Sequence, residues 1–557
     1  MSSDSDSEFV SANDDSDSVS SVVTERATSK KWQSTVAQRR VAWSCFCCCE
    51  SVFIAFFGAF LGATIAPVSY SWIVGLLVGV SPFLWLWRCH VDDACRKGAL
   101  LIGSTVAVVN AVLILVLLVA WWHPYADGLR LLPELCVVGL GHVDVTSARI
   151  VVRCPRANRA RAVAWPTNVT AEPLLVTSDW IDLQSAVGFS VALQLQGLEG
   201  GTQFDFRVDF DALVGDAPST GSFRTAPPLD SPDARKFRFT FGSCLLQAGF
   251  RNLDRVSEIR EQNSRFLLFL GDYVYLDQPQ VELGFSQSEV EARYARVLGD
   301  PVIRDARRHL PTLYMYDDHE IVNDWDRGES APYATAIHDV WHNWLGVGNP
   351  AKPGAYFFSF RFGDACFFVL DVRRYRDAKA IDANDPNKTM LGSRQLADLK
   401  AWLLTSNSEC VAKFIATPVP FTTLMSSKDS WAGFLVERQA ILDFIASQNI
   451  TGVVFLSGDS HTAAAVEMTV DSSTSVHEFS ASPIDGFWLP VSFLRNSTDD
   501  QKVLGKFAGS DHWGTVDVDT TDDRFGRITV HIDAGANNRV FSKTLEFPRR
   551  SQRVQNA

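Results

Sequence analysis

The sequence has no excess of positive charge. Its 51 Lys and Arg stand against 64 Asp and Glu, a net charge of −13 at pH 7. A chain of that sign is repelled by a phosphate backbone, so nucleic-acid duplex binding is not expected. A small anionic substrate stays open if cations screen the site locally. Cysteine is scarce beyond the first quarter of the chain. Of 11 cysteines, only Cys136, Cys154, Cys244, Cys366 and Cys410 follow residue 130. That excludes a dense disulfide framework, and the odd number leaves at least one thiol unpaired if the others pair. Charge itself is missing from Ser51 to Trp87 and again from Gly98 to Trp122.

What is present divides the chain of 557 residues into several parts. A domain takes about 150 residues, so three or so folded units are expected. Residues 1–42 begin with a Ser- and Asp-rich tail without apolar periodicity, which reads as disordered. Residues 43–123 hold the charge-free runs and read as a membrane region of about three transmembrane helices, the first run being broken near Pro67. Lys30, Lys31, Arg39 and Arg40 precede the first span, and Arg88, Arg96 and Lys97 follow the second. The positive-inside rule puts both groups in the cytosol. The expectation is therefore a multi-pass protein in a lipid bilayer, with everything after Trp122 lumenal or extracellular. Sequons at Asn168, Asn387, Asn449 and Asn496 agree with a glycoprotein. The CFCCC run at 45–49 reads either as a palmitoylation site or as apolar cysteines at a helix start.

Residues 131–228 carry short alternating runs, such as SARIVVRC and TQFDFRV, separated by Gly and Asn turns. They predict a small antiparallel β-sandwich with no catalytic constellation of its own, a packing or spacer module. Over 236–546 the pattern changes. FRFTFGSC, RFLLFLGDYVY, TLYMYDDHE, ACFFVLDVRRYR, VAKFIATPVP and GVVFLSGDSH are apolar runs that end in polar residues. Helix-like stretches, 286–299 and 394–405 among them, lie between. Continuous apolar strands alternating with helices predict an α/β fold with its site at the carboxyl ends of the strands.

Those ends collect Cys244, Asp272, Tyr275, Asp317, Asp318, His319, Asn323, Asp459 and His461. Singly, each has an ordinary explanation: a turn, a helix cap, a core histidine, a buried thiol. Strand after strand ending in such a residue points to metal-assisted phosphoester chemistry. Cations neutralise the ester and acidify a bound water, and Asp272 is placed to bridge two of them. Thiolate and phenolate donors such as Cys244 and Tyr275 suit iron, while carboxylate and amide oxygens suit calcium. His319 reads as an acid for the leaving group or an oxyanion stabiliser. Arg373 and Arg376 read either as a phosphate clamp or as ion-pair partners of Asp371 or Asp377. His338 and His342 stand four apart but lack the acidic partner of a zinc-protease motif, so they read as core or surface residues.

FGSC at 241–244, GDYVYLD at 271–277, DDHEIVNDW at 317–325, LDVRRYRD at 370–377, LGSRQLADLKAWL at 391–403 and SGDSH at 457–461 resemble the alkaline phosphatase D (PhoD-like) metallophosphatase family. The resemblance covers residue 131 to about 485 and, more distantly, extends to the calcineurin-like metallophosphoesterase fold. It implies an α/β metallophosphoesterase-type sandwich of two mixed sheets flanked by helices, preceded by the β-sandwich domain and here by N-terminal transmembrane helices. It implies hydrolysis of phosphomonoesters and phosphodiesters with Fe3+ and Ca2+ as cofactors. By the same resemblance Cys244, Asp272, Tyr275, Asp459 and His461 are metal ligands, with Asp318 and Asn323 as further ligands. Asn323 also reads as a plain surface residue. Catalytic roles fall to His319, Arg373 and Asp272, and the substrate is a small phosphoester, a lipid or a nucleotide. Bacterial secreted members start with an export signal, whereas this chain starts with apparent spans. The alternative is a non-catalytic membrane receptor or scaffold that keeps the fold. A transporter is weaker still, because no span carries an interior charge pair.

Overall fold

The computed structural model describes residues 130–549, apart from 168–174, 214–219, 247–252, 278–285, 487–493 and the single positions 332, 426, 510 and 536. The acidic tail, the expected spans, the CFCCC run and Asn168 lie outside the described residues. Among the described residues no helix is long and apolar enough to cross a membrane. The fold class is accordingly corrected to a mixed α/β, sheet-rich fold, and N-terminal transmembrane helices find no support among the described residues. The multi-pass localisation and the bilayer partner are corrected with it. The physical reason is that freedom from charge is required of a span but does not by itself make a run a membrane-crossing helix.

Residues 137–224 form two antiparallel sheets. One orders Val137–Val143, Ser147–Arg153 and Ser190–Gln196. The other is built on Arg159–Pro166, Gln203–Asp211 and Thr220–Arg224. Ile150, Leu193, Leu195, Phe204, Phe206 and Phe223 fill the space between them. Cys136 and Cys154 form a disulfide at the start of this unit.

Two larger sheets follow. The first orders Thr312–Tyr314, Leu267–Phe269, Lys236–Gly242, His512–Asp519, Phe525–Ala534 and Arg539–Pro548, its first three strands being parallel. The second orders Phe358–Phe362, Ala365–Val369, Ala412–Ala416, Val453–Ser457, Ser475–Ser480, Ala463–Thr469 and Gln501–Phe507. Its strands from Ala365 to Ser457 run parallel. The sheets meet over Phe239, Phe241, Phe367, Phe414, Leu456 and Phe479. Alternation explains why whole runs are apolar. Leu268 faces the other sheet, whereas Leu267 and Phe269 face the helices, so both faces are buried. Gln287–Gly299, Pro301–His309 and Ala334–Trp344 cover the first sheet. Gly392–Glu409 and Leu435–Ser447 cover the second. Ser286 and Glu289 close a capping box on the first of these helices, and Asp300 caps the next.

Candidate metal centre

Parallel strands in both sheets end at one place. Lys236–Gly242 delivers Ser243 and Cys244, Leu267–Phe269 delivers Asp272, and Thr312–Tyr314 delivers Asp317 and Asp318. From the second sheet, Ala365–Val369 leads to Arg373 and Val453–Ser457 to Asp459 and His461. Two glycines let these ends close up. A Cβ on Gly271, whose φ is +101°, would lie 2.4 Å from the Asp317 Cβ. A Cβ on Gly458 would lie 2.3 Å from the Ser243 Oγ. Cys244, Asp272, Asp459 and His461 all adopt positive φ, at 63°, 59°, 60° and 46°. Left-handed backbone costs a non-glycine residue on the order of 1–3 kcal/mol, and such strain gathers at functional sites.

The Cys244 thiol donates to Asp272 Oδ2 at 3.3 Å, and the Tyr275 hydroxyl reaches the same oxygen at 3.4 Å. The Tyr275 hydroxyl also lies 3.3 Å from His461 Nε2. Thiol, phenol, carboxylate and imidazole thus converge. Beside them, oxygens of Asp272, Asp317, Asp318 and Asp459 all lie within 4.8 Å of one another. Burial, joined by Cys244 and Asp318, holds Asp272 well above the usual carboxylate range. Burial and neighbouring carboxylates do the same to Asp459. In Asp317 burial outweighs the opposing pull of Arg373. Burial is overcome at Asp318, where Arg373, His319 and backbone N–H groups bring it down to about 2. The Cys244 thiol is pushed up to about 12 by burial and by Asp459. Of these four carboxylates Arg373 pairs with Asp317 and Asp318, and the buried Asp317 Oδ2 has no hydrogen-bond partner among the described residues. Bound cations would relieve that imbalance, so these residues fit a metal centre.

The other predicted residues are placed as follows. His319 donates from Nδ1 to the buried Asp277 at 2.8 Å. Burial would lower its pKa, but Asp277 and Asp318 prevail and raise it to about 10. His461, by contrast, is lowered to about 4 by burial. Asn323 has an exposed side chain, and its backbone N–H donates to Asp277 at 2.8 Å. Arg373 is fully buried; its backbone N–H donates to Asp371 at 3.2 Å, but its guanidinium pairs with neither Asp371 nor Asp377. Its Nε lies 2.5 Å from Asp317, Nη1 lies 2.8 Å from Asp429, and Nη2 lies 3.5 Å from Asp318. Arg376 also pairs with Asp429, at 3.1 Å. His338 packs against Tyr316 and His342 stacks on Tyr356.

Sequence reasoning passed over four acidic residues. Glu320 accepts backbone N–H bonds from Asp272, Tyr273, Val274 and Asp317 at 2.6–3.4 Å, which ties two strand ends together. Asp277 holds His319. Both lie inside motifs already singled out, so their position was the available signal. Asp429 and Asp324 join Asp318 in a further acidic group. Asp429 lies in no recognised motif, and nothing in the sequence marks it.

The model of the PhoD-like phosphatase family matches residues 239–533. Alkaline phosphatase D of Bacillus subtilis (strain 168) is 23% identical over 332 residues, 51% of this chain and 55% of that protein. The chain thus matches about half the length of this curated relative. The solved structure of PhoD superposes with a TM-score of 0.58 at 18% identity, over 76% of this chain and 93% of that one. A purple acid phosphatase from yellow lupin (Lupinus luteus) seeds gives 0.52 at 10% identity, over 74% of each chain. At these identities the structural likenesses show the fold alone.

Proposed function

Because this chain belongs to the PhoD-like phosphatase family, we propose that it is a metal-dependent phosphoric ester hydrolase working at the strand-end centre. The observation that carries this reading is the packing of carboxylate oxygens of Asp272, Asp317, Asp318 and Asp459 within 4.8 Å of one another. Cys244, Tyr275, Asp272 and His461 would hold Fe3+, and Asp272, Asp318 and Asp459 would hold Ca2+, which Asn323 would join only by turning its exposed side chain inward. When bound, the ions supply charge neutralisation to the ester and acidity to a water.

The chain's own groups do the rest. Asp277 accepts from His319 Nδ1 and fixes the ring, and with the His319 pKa raised to about 10 the imidazole also keeps a proton on Nε2, which it would give to the leaving oxygen. Arg373 is committed to Asp317, Asp318 and Asp429, which supports a positioning role over a phosphate clamp. Glu320 sets the backbone of the Asp272 turn. The substrate would be a small-molecule phosphoester. The exposed sequons at Asn387, Asn449 and Asn496 would carry glycans.

Purified protein should hydrolyse a chromogenic phosphomonoester or phosphodiester with calcium present. Chelation should abolish turnover, and returning the metals should restore it. Cys244→Ala should lose iron in elemental analysis. Turnover indifferent to chelation would overturn the reading. A folded protein that never binds metal would favour the non-catalytic scaffold instead.

A further inference from the structure

We propose that Asn349 is a positioning residue for the metal centre, and that the small β-sandwich acts on the centre through it. The inference rests on the metal-centre reading above. Among the described residues, strand Thr312–Tyr314 is the outermost of its sheet and has a neighbour on one side only. It is three residues long and leads directly into Asp317 and Asp318. A short edge strand with one partner is weakly held and leaves N–H and C=O groups without a ladder.

The Asn349 amide takes the place of the missing strand. Its Oδ1 accepts from the Tyr314 N–H at 2.9 Å, and its Nδ2 donates to the Tyr314 carbonyl at 2.8 Å. The side chain is 5% exposed, so both bonds are shielded from water. On its other side Tyr314 precedes Met315, whose N–H donates to Phe269 O at 2.8 Å. The strand that carries Asp317 and Asp318 is therefore gripped from both sides.

The sandwich holds Asn349 in turn. Arg149, on Ser147–Arg153, donates from Nη1 to the Asn349 carbonyl and reaches Val347 O at 3.5 Å. Gly141 lies so close to the turn that a Cβ there would come 2.4 Å from Gly348 O. The Arg153 guanidinium stacks 4.4 Å above the Trp344 ring, at the end of the helix before the turn. Contacts thus run from the sandwich strands to the 346–349 turn, then to Tyr314, then to Asp317 and Asp318.

The test uses the full chain as Asn349→Asp and as Arg149→Met. Asn349→Asp keeps shape and acceptor but turns an oxygen toward the Tyr314 carbonyl. Arg149→Met leaves the Asn349 amide intact. Calcium chloride alone is titrated by calorimetry, and hydrogen exchange is followed over residues 312–319. Loss of a partner bonded directly to a metal ligand weakens affinity about 10- to 100-fold, and because Asn349 bonds Tyr314 rather than a ligand the low end, about tenfold, applies. That loss is expected in Asn349→Asp together with faster exchange, and a smaller loss is expected in Arg149→Met. Faster exchange with unchanged calcium affinity would reduce Asn349 to an edge cap and overturn the proposal. If Asn349→Asp does not fold, unchanged affinity in Arg149→Met overturns it equally. A wild-type protein that takes up no calcium overturns the metal-centre reading itself, and this inference with it.

Discussion

Replacing Arg373 by Met should cost about 3–5 kcal/mol of stability in the metal-free protein, the usual loss when one partner leaves a buried ion pair. The structure shows how that loss is shared. Asp429 keeps Arg376 at 3.1 Å and is largely spared. Asp317 and Asp318 lose the guanidinium that now lies 2.5 Å and 3.5 Å away. Asp317 can escape by taking up a proton, because burial already raises its pKa, and this limits the loss. Urea unfolding in chelator measures it. The double variant Arg373→Met/Asp317→Asn should recover part of the loss, since it removes a charge left without a partner. Added calcium should narrow the gap between wild type and Arg373→Met. A loss below about 1 kcal/mol, or a double variant less stable than the single one, would refute the reasoning.

Three further outcomes are expected. His338 is buried and lowered to about 4 from an ordinary 6.5. The unfolded chain therefore binds its proton first. The His338 contribution to stability is full above pH 6.5 and falls toward pH 4, by about 2 kcal/mol at pH 5, and urea melts of His338→Gln should lack that part of the slope. Cys366 and Cys410 are 44 residues apart, so replacing both by Ala should lower stability by up to about 4 kcal/mol in urea, the chain-entropy value for that loop. Gly271→Ala should lose metal binding because of its crowding against Asp317, whereas Gly197→Ala, with nothing within 4 Å of its Cβ, should retain it.

Much of the centre was legible because its residues follow apolar runs that must become buried strands. Cys244, Asp272, Asp318, Asp459 and His461 could be picked out one strand end at a time. Which groups would meet was not legible in the same way. Glu320 and Asp429 are ordinary acidic residues until folding brings backbone N–H groups to one and two guanidiniums to the other. Arg373 read as a phosphate clamp or as the partner of nearby acids, because sequence proximity favours Asp371 and Asp377. Its true partners lie 56 residues away on either side. The left-handed backbone at Cys244, Asp272, Asp459 and His461 has no signature in residue type. The transmembrane reading rests on missing charge alone, and no helix among the described residues is long and apolar enough to support it.

The most direct test is metal content per folded chain, by elemental analysis of wild type and Asp272→Asn after identical exposure to iron and calcium. Asp272 contacts both the thiol–phenol group and the carboxylate group. Wild type should retain metal, and the variant should lose most of it while staying folded. Equal retention in the two proteins, or none in folded wild type, would contradict the account.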